Sequence, residues 1–175
     1  KGPWDPKAEA ETALEQFERR LRKTNGELPS DILFHDLCDR YGILLMAGWS
    51  CQWEWGDYSG TPDDDYGSIK TPEDMELITR SLQDQLLLCR NHPSIFVWML
   101  GSDKLPRPEL EKEYIKILAA EDPTRPSLIS AAGRVSTLTG KSGVKMNGPY
   151  DYVPPNYWYV DTKNGGAFGF NTETG

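Results

Sequence analysis

Apolar residues occur in two patterns along this chain, and the two patterns alternate. At helical spacing they mark residues 8–23, 30–40, 72–90 and 108–122. Continuous apolar runs, which are typical of strands buried on both faces of a parallel sheet, occupy residues 43–47 and 95–100. Residues 167–170 form a further apolar, strand-like run, and residues 127–131 and 144–146 are weaker strand candidates. Alternation of helices with such strands predicts an α/β protein with parallel strands.

The helix that starts near residue 72 has the most distinct boundary. Thr71 offers a capping hydroxyl, Pro72 suits the first helical position, and two acidic residues follow in the first turn. These features predict that the helix begins at residue 72.

Polar segments follow three of the predicted strands. Residues 48–70 form a long, acidic and turn-rich stretch after the first strand. Residues 102–103 follow the second strand, and residues 171–173 follow the last. Functional loops of parallel α/β folds lie at the carboxyl ends of the strands. We therefore expect these three segments to meet at one edge of the sheet.

Composition narrows the range of partners. The chain has 175 residues, with Lys+Arg 19 and Asp+Glu 27, a formal net charge of −8 and a pI of about 4.8. Nucleic acids and anionic membranes bind cationic faces, so this charge disfavours both and favours a cationic ligand. Mean hydropathy is −0.60, and no run approaches the roughly 18 apolar residues of a membrane span.

The cysteines and histidines do not suggest a metal or disulfide framework. Cys38, Cys51 and Cys89 are an odd number without CxxC spacing, which excludes a zinc ribbon and a disulfide scaffold. His92 precedes a proline at a strand entry, and we interpret it as a structural hydrogen-bonding residue; His35 is the only other histidine. The sequence also has no phosphate-binding loop and no nucleophile elbow.

Two carboxylates stand directly after predicted strands. Asp103 follows the run at 95–100, and Glu173 follows the run at 167–170. A pair of carboxylates across one pocket is the minimum apparatus for glycoside hydrolysis. Among 27 acidic residues, however, the pattern alone favours carboxylates that cap an element or lie in solvent.

Aromatic residues are concentrated in loops. Those outside core periodicity are Trp53, Trp55, Tyr150, Tyr152, Tyr157 and Trp158. Near a carboxylate, such side chains can stack on sugar rings; alternatively, they pack loops together or contact another domain. Trp98 lies within a strand and is expected in the core.

Three long motifs carry a resemblance to a known family. Residues 90–98, which lead into Ser102-Asp103, resemble the segment before the catalytic acid of glycoside hydrolase family 2. Most of that family has Asn-Glu at this position. Ser102-Asp103 is instead similar to the exo-β-D-glucosaminidase branch, in which an aspartate is the acid/base. Residues 143–155 and 165–174 also resemble that branch. The similarity extends over residues 34–175.

The resemblance implies a mechanism and a fold. Asp103 would be the acid/base and Glu173 the nucleophile of a retaining hydrolase that releases glucosamine from chitosan oligosaccharides without a cofactor. The implied fold is a partial (β/α)8 TIM barrel over residues 31–175 whose last strand is absent. Residues 1–30 form a helical segment that departs from the family pattern.

The resemblance also implies residues that bind the sugar. Glucosamine is a cation near neutral pH, and an acidic cleft attracts it. The implied substrate-binding residues are Asn171, Tyr150, Asp151, Tyr152, Trp158, Trp53, Trp55 and Glu54.

Two other functions are also compatible with the sequence. One is β-mannosidase or β-galactosidase activity of the same family, and the other is a non-catalytic carbohydrate-binding fragment. The resemblance further implies flanking β-sandwich domains in the full-length protein and an extracellular or periplasmic location, although the chain carries no signal peptide. We expect the chain to be part of a longer protein.

Overall fold

A computed structural model describes residues 30–48, 54–157 and 169–173. In these ranges the helices are α1 (Ser30–Tyr41), α2 (Gly56–Ser59), α3 (Pro72–Cys89) and α4 (Pro108–Glu121). The strands are β1 (Leu45–Gly48), β2 (Ile95–Met99), β3 (Ser127–Leu128), β4 (Val135–Ser136), β5 (Gly140–Lys141), β6 (Val144–Lys145) and β7 (Phe170–Asn171). The helix expected at residues 8–23 lies outside the described residues.

The chain divides into two compact units, of which the smaller comprises Lys1–Leu45 and Asn91–Ser94. Within it, the Asp39 carboxylate joins the end of α1 to the segment before β2. One oxygen accepts a hydrogen bond from the Ser94 N–H at 2.8 Å, and the other lies 2.6 Å from Nδ1 of His92. His92 is thus a structural hydrogen-bonding residue, as predicted.

The same contacts set the charge state of Asp39. Partial burial raises its pKa, but the hydrogen bonds from Ser94 and His92 outweigh that effect, and the pKa is lowered overall. The carboxylate therefore stays ionised and keeps both partners.

The larger unit comprises Met46–Arg90 and Ile95–Gly175. Its principal sheet has the strand order β1-β2-β3, and β2 and β3 are parallel with Trp98 opposite Ser127. α3 packs against α4. Both helices turn one face inward, and the buried core side chains of these helices and β2 include Ile78, Leu82, Leu86, Leu110, Tyr114, Leu118, Ile95, Val97 and Trp98.

Helix α3 begins where the sequence predicts. Pro72 is its first residue, and the Thr71 hydroxyl accepts a hydrogen bond from the Asp74 N–H at 3.1 Å. That bond satisfies one of the N–H groups that have no partner within the helix.

Two of the apolar runs are less buried than their sequence indicates. Ile43 and Leu44 are 50% and 69% exposed because they lie in the link before β1, where strand pairing has not begun. Phe96 is 38% exposed because successive side chains of a strand point to opposite faces, so it points away from the buried Ile95 and Val97. The prediction of strands buried on both faces is wrong at these positions.

Two elements were not expected from the sequence. The helix α2 is a single turn, and β4 and β5 form an antiparallel hairpin in which Ser136 lies opposite Gly140. Gly140 has a φ of +80°, which favours glycine at the hairpin. None of the helices in the described ranges is long and apolar enough to cross a membrane.

A buried carboxylate links β2 to the end of α4, and its removal has a large expected effect. Asp122 accepts hydrogen bonds from Trp98 Nε1 at 2.8 Å and from Thr124 Oγ1 at 2.8 Å, and it pairs with Arg125. We expect Asp122→Ala to destabilise the domain by about 3 kcal/mol, because the indole N–H and the guanidinium would lose their acceptor inside the core. The Tm of the full-length protein measures this loss. The exposed Asp84→Ala is the control, and equal Tm values for the two variants would contradict the prediction.

Candidate active site

The turn after β2 carries Asp103, and hydrogen bonds fix its backbone. The carbonyl oxygen of Ser102 accepts bonds from Ser130 Oγ at 2.6 Å and from the Ala132 N–H at 3.2 Å. The carbonyl oxygen of Asp103 accepts one from Arg134 Nε at 2.7 Å. The segment after β3 therefore holds this turn, while the Asp103 side chain remains half-buried.

Only glycine fits at residue 101, just before this turn. A Cβ there would lie 2.7 Å from the carbonyl oxygen of Lys104 and 2.8 Å from that of Ile129. At this point the turn of residues 101–104 and the backbone at Ile129 approach each other closely.

Glu173 stands at the corresponding end of β7. Strands β6 and β7 are parallel, and the Thr172 N–H continues their pairing by donating to the Lys145 carbonyl at 2.9 Å. The hydroxyl of Thr172 donates to the Ala131 carbonyl at 2.8 Å. This bond ties the end of β7 to the segment after β3.

The same segment thus bonds the residue before Asp103 and the residue before Glu173. Residues 130–132 contact Ser102 on one side and Thr172 on the other. The chain segments that carry the two predicted catalytic carboxylates are therefore held by the same three residues.

Tyr150 lies where both carboxylates act on it. Its hydroxyl donates a hydrogen bond to Glu173 Oε2 at 3.3 Å. Partial removal from water raises the pKa of the phenol, and the negative charges of Glu173 and Asp103 raise it further. Tyr150 therefore stays protonated and can donate to the nucleophile that the sequence predicts.

Asn171 shapes the turn that carries Tyr150. Its Nδ2 donates to the Gly148 carbonyl, and its Oδ1 accepts from the Asn147 N–H at 3.3 Å. Gly148 has a φ of +70°, and a Cβ there would lie 2.8 Å from the Tyr150 nitrogen. The amide predicted to bind substrate is bonded at both ends to this turn.

An open cleft of about 630 Å³ borders Asp103. Trp55 lies in its wall, at the position where the sequence predicts an aromatic surface for a sugar ring. The other lining residues are Gly56, Asp57, Gly60, Thr61, Pro62, Asp63 and Lys104.

Ion pairs hold the acidic loop beside this cleft. Asp63 pairs with Lys104 at 2.8 Å, and Asp64 pairs with Arg107. A hydrogen bond from Lys104 lowers the pKa of Asp63, and one from Arg107 lowers that of Asp64. These exposed aspartates neutralise basic groups on the turn after Asp103.

Glu54 does not line the cleft beside Asp103, although the sequence predicts that it binds substrate. Instead of lining a pocket for an amino group, its side chain is buried, with 4% exposed, and Oε1 accepts from the Ser102 N–H at 3.0 Å. Burial raises its pKa to about 7; hydrogen bonds from the turn oppose the shift, and the charge of Asp103 adds to it.

The remaining predicted sugar-binding residues are exposed or lie outside the described residues. Asp151 and Tyr152 are exposed, Tyr152 to 89%. Trp53 and Trp158 lie outside the described residues.

The residues that sequence reasoning missed are Ser130 and Thr172, whose hydroxyls join the strand ends. Their only sequence signal is a hydroxyl residue at the end of a strand, next to a candidate carboxylate.

The pKa of Glu54 predicts a pH effect on stability. Its folded pKa of about 7 exceeds the ordinary value of 4.5, so the folded state binds more protons than the unfolded state between these pH values. Stability therefore falls as pH rises through this window, by at most about 3 kcal/mol at roughly 1.4 kcal/mol per pH unit. The glutamine of Glu54→Gln stays neutral at every pH. We therefore expect the Tm of this variant minus that of wild type to be larger at pH 8 than at pH 5.

Calorimetry at the two pH values checks this prediction. The exposed Glu113→Gln is the matched control and should follow wild type. A Tm difference between Glu54→Gln and wild type that is the same at pH 5 and at pH 8 would show that the carboxylate titrates alike in both states.

Comparison with known proteins identifies the family. The model of "Glycosyl hydrolases family 2, TIM barrel domain" matches residues 23–145. The chain belongs to glycoside hydrolase family 2, and its described part is a portion of the TIM barrel domain. The predicted parallel strands alternating with helices are confirmed, as is the resemblance to this family.

Among the relatives are two exo-β-D-glucosaminidases. That of Streptomyces avermitilis is 37% identical over 99% of this chain and 20% of its own length. That of Amycolatopsis orientalis is 39% identical over 87% of this chain and 15% of its own length. The chain therefore spans a fifth or less of the relatives it matches.

Solved structures give the same picture. The exo-chitosanase CsxA of Amycolatopsis orientalis matches 82% of this chain and 17% of its own, with 38% identity and a TM-score of 0.68. A complex of that enzyme with PNP-β-D-glucosamine matches 82% of this chain and 17% of its own, with 37% identity and a TM-score of 0.69.

Proposed function

We propose that this chain supplies the two catalytic carboxylates of a retaining exo-β-D-glucosaminidase that acts on chitosan oligosaccharides. The observation that carries the proposal is that Asp103 and Glu173, each at the end of a strand, both lie close enough to Tyr150 to raise the pKa of its phenol. Relatives at 37% and 39% identity that bear this activity in their names support it.

The reaction follows from the roles of the two carboxylates. Asp103 donates a proton to the glycosidic oxygen while Glu173 attacks the anomeric carbon, which breaks the C–O bond and forms a glycosyl-enzyme ester. Asp103, now ionised, takes a proton from water as the water attacks the anomeric carbon and breaks its bond to Glu173. Glu173 leaves as a carboxylate, and the sugar keeps its anomeric configuration.

The neighbouring groups prepare Glu173 and the sugar. The Tyr150 hydroxyl holds one oxygen of Glu173 at 3.3 Å, so that the other is available for attack. The protonated amine of glucosamine is attracted by Asp57 and Asp103, which line the cleft. Trp55 offers an aromatic face at the cleft wall for a further sugar ring.

A panel of 4-nitrophenyl β-glycosides on the full-length protein tests the substrate. We expect release of nitrophenol from the glucosaminide, with the galactoside and the mannoside at least about 100-fold poorer in kcat/KM. Proton NMR should detect β-glucosamine as the first product. Hydrolysis of the mannoside or galactoside without the glucosaminide would overturn the substrate assignment, and an initial α-product would overturn retention.

We also propose that the full-length protein has flanking β-sandwich domains and acts outside the cytoplasm. The length of the relatives supports further domains, since this chain covers 15–20% of them. A polymeric chitosan substrate favours a location outside the cell. Fractionation of the producing organism with an antibody to this chain tests the location, and recovery only from the cytosol would contradict it.

A further inference from the structure

Glu54 is a buried carboxylate that faces the backbone on both sides of Asp103. Oε1 accepts from the Ser102 N–H at 3.0 Å and lies 3.5 Å from the Lys104 nitrogen. One carboxyl oxygen thus contacts the N–H groups of the residues immediately before and after Asp103.

The backbone of Glu54 is itself held in place. Its carbonyl oxygen accepts from the Ser68 N–H at 2.9 Å. Gly67 has a φ of +86°, and a Cβ there would lie 2.6 Å from the same oxygen. Only glycine at residue 67 allows this close approach. The backbone of Glu54 therefore packs against residues 67–68, and this contact fixes the position from which its side chain extends.

The burial of Glu54 separates it from the substrate. With 4% of the residue exposed, it is absent from the walls of the cleft beside Asp103. Burying a carboxyl group costs free energy unless hydrogen bonds compensate, and here the compensating donors all belong to the Asp103 turn. The position of this turn and the burial of Glu54 therefore depend on each other.

We propose that Glu54 is a positioning residue: its carboxyl oxygen clamps the backbone of residues 102–104 and thereby directs the Asp103 side chain toward the glycosidic oxygen. This inference rests on the proposed function, because it assigns Glu54 to the same proton transfer. A general acid displaced by about 1 Å can lose about 100-fold in rate, so the clamp has a kinetic consequence.

The clamp needs an oxygen acceptor rather than a charge. A neutral carboxyl group and a glutamine amide both keep a carbonyl oxygen that can accept from the Ser102 and Lys104 N–H groups. Leucine has similar bulk and no acceptor. Glu54→Gln is therefore the conservative variant, and Glu54→Leu removes the clamp.

Proton donation by Asp103 matters most when the leaving group is poor. The departing hydroxyl of chitobiose needs a proton, whereas 4-nitrophenolate leaves largely without one. The value of kcat/KM reflects the steps up to formation of the glycosyl-enzyme. It is therefore sensitive to proton donation by Asp103 for chitobiose and largely insensitive to it for the aryl substrate. A loss of structure alone would lower kcat/KM for both substrates by the same factor.

The experiment compares kcat/KM for chitobiose and for 4-nitrophenyl β-glucosaminide in the full-length wild type, Glu54→Gln and Glu54→Leu. We expect Glu54→Leu to lose about 100-fold on chitobiose and less than about fivefold on the aryl substrate. Glu54→Gln should stay within about threefold of wild type on both.

Glu111 provides the matched control. It is a buried glutamate, 1% exposed, whose carboxylate accepts from the hydroxyls of Ser136 and Thr139 instead of the Asp103 turn. Glu111→Leu should destabilise the protein and leave the ratio of the two kcat/KM values at the wild-type value.

Three outcomes would overturn the proposal. They are an unchanged substrate ratio in Glu54→Leu, the same change of ratio in Glu111→Leu, and a loss in Glu54→Gln as large as that in Glu54→Leu. If the wild type hydrolyses neither substrate, the proposed function itself fails, which is a distinct result.

Discussion

Glu173→Gln is expected to lower kcat for 4-nitrophenyl β-glucosaminide by about 10⁴-fold or more. The amide has nearly the shape of the carboxylate, and its carbonyl oxygen can still accept from the Tyr150 hydroxyl. It cannot form the glycosyl ester, because the neutral amide is a poor nucleophile. Steady-state release of nitrophenol by the full-length protein measures the loss.

The binding of substrate separates this prediction from unfolding. We expect Glu173→Gln to bind glucosamine oligosaccharides in calorimetric titration and to keep the wild-type Tm within a few degrees. The exposed Glu109→Gln is the control and should retain full turnover. Turnover by Glu173→Gln within tenfold of wild type would exclude Glu173 as the nucleophile.

Asp103→Asn is expected to lower kcat/KM for chitobiose by about 10³-fold, and much less for the 4-nitrophenyl substrate. Asparagine cannot give a proton to the departing oxygen, and only the poor leaving group depends on that proton. Removal of the glycosyl group by water also loses its base, so the aryl substrate should show a burst of nitrophenol before a slow steady state.

An external nucleophile provides a second readout for Asp103. Azide needs no base, so it should restore turnover of the aryl substrate by Asp103→Ala and yield β-glucosaminyl azide. An equal loss on both substrates, with no rescue by azide, would contradict the assignment of Asp103 as acid/base.

Several helices and strands could be predicted from the sequence because residues close together in the chain determine where they begin and which face they bury. The helix at Pro72 begins where the Thr71 hydroxyl and the proline require, and its inward face repeats every three or four residues. The apolar run at 95–100 contains β2 because no polar residue interrupts it. Such features depend on neighbours a few residues away.

The predictions that were wrong or missing concern contacts that short sequence patterns do not reveal. Glu54 was predicted to help form an acidic pocket for the amino group of the sugar. Its burial depends on N–H groups at residues 102 and 104, about 50 positions away, which no local pattern reveals. The hairpin of β4 and β5 was missed because its turn lacks the Asn-Gly or Asp-Gly pair that usually marks one.

The candidate site was partly predictable for a similar reason. The positions of Asp103 and Glu173 after apolar runs placed both at strand ends. The bonds that join those ends, from Ser130 to Ser102 and from Thr172 to Ala131, appear only when the strands are assembled. They join the segments that carry the two carboxylates to one stretch of chain, residues 130–131.

Covalent labelling tests the two-carboxylate mechanism most directly. A fluorinated glucosaminyl fluoride forms a glycosyl-enzyme that is hydrolysed slowly, so the attached sugar survives proteolysis and can be located by mass spectrometry. We expect the full-length protein to carry one sugar, on Glu173, with Asp103 unlabelled. A label on any other carboxylate, or inactivation without a covalent adduct, would contradict the double-displacement mechanism built on Asp103 and Glu173.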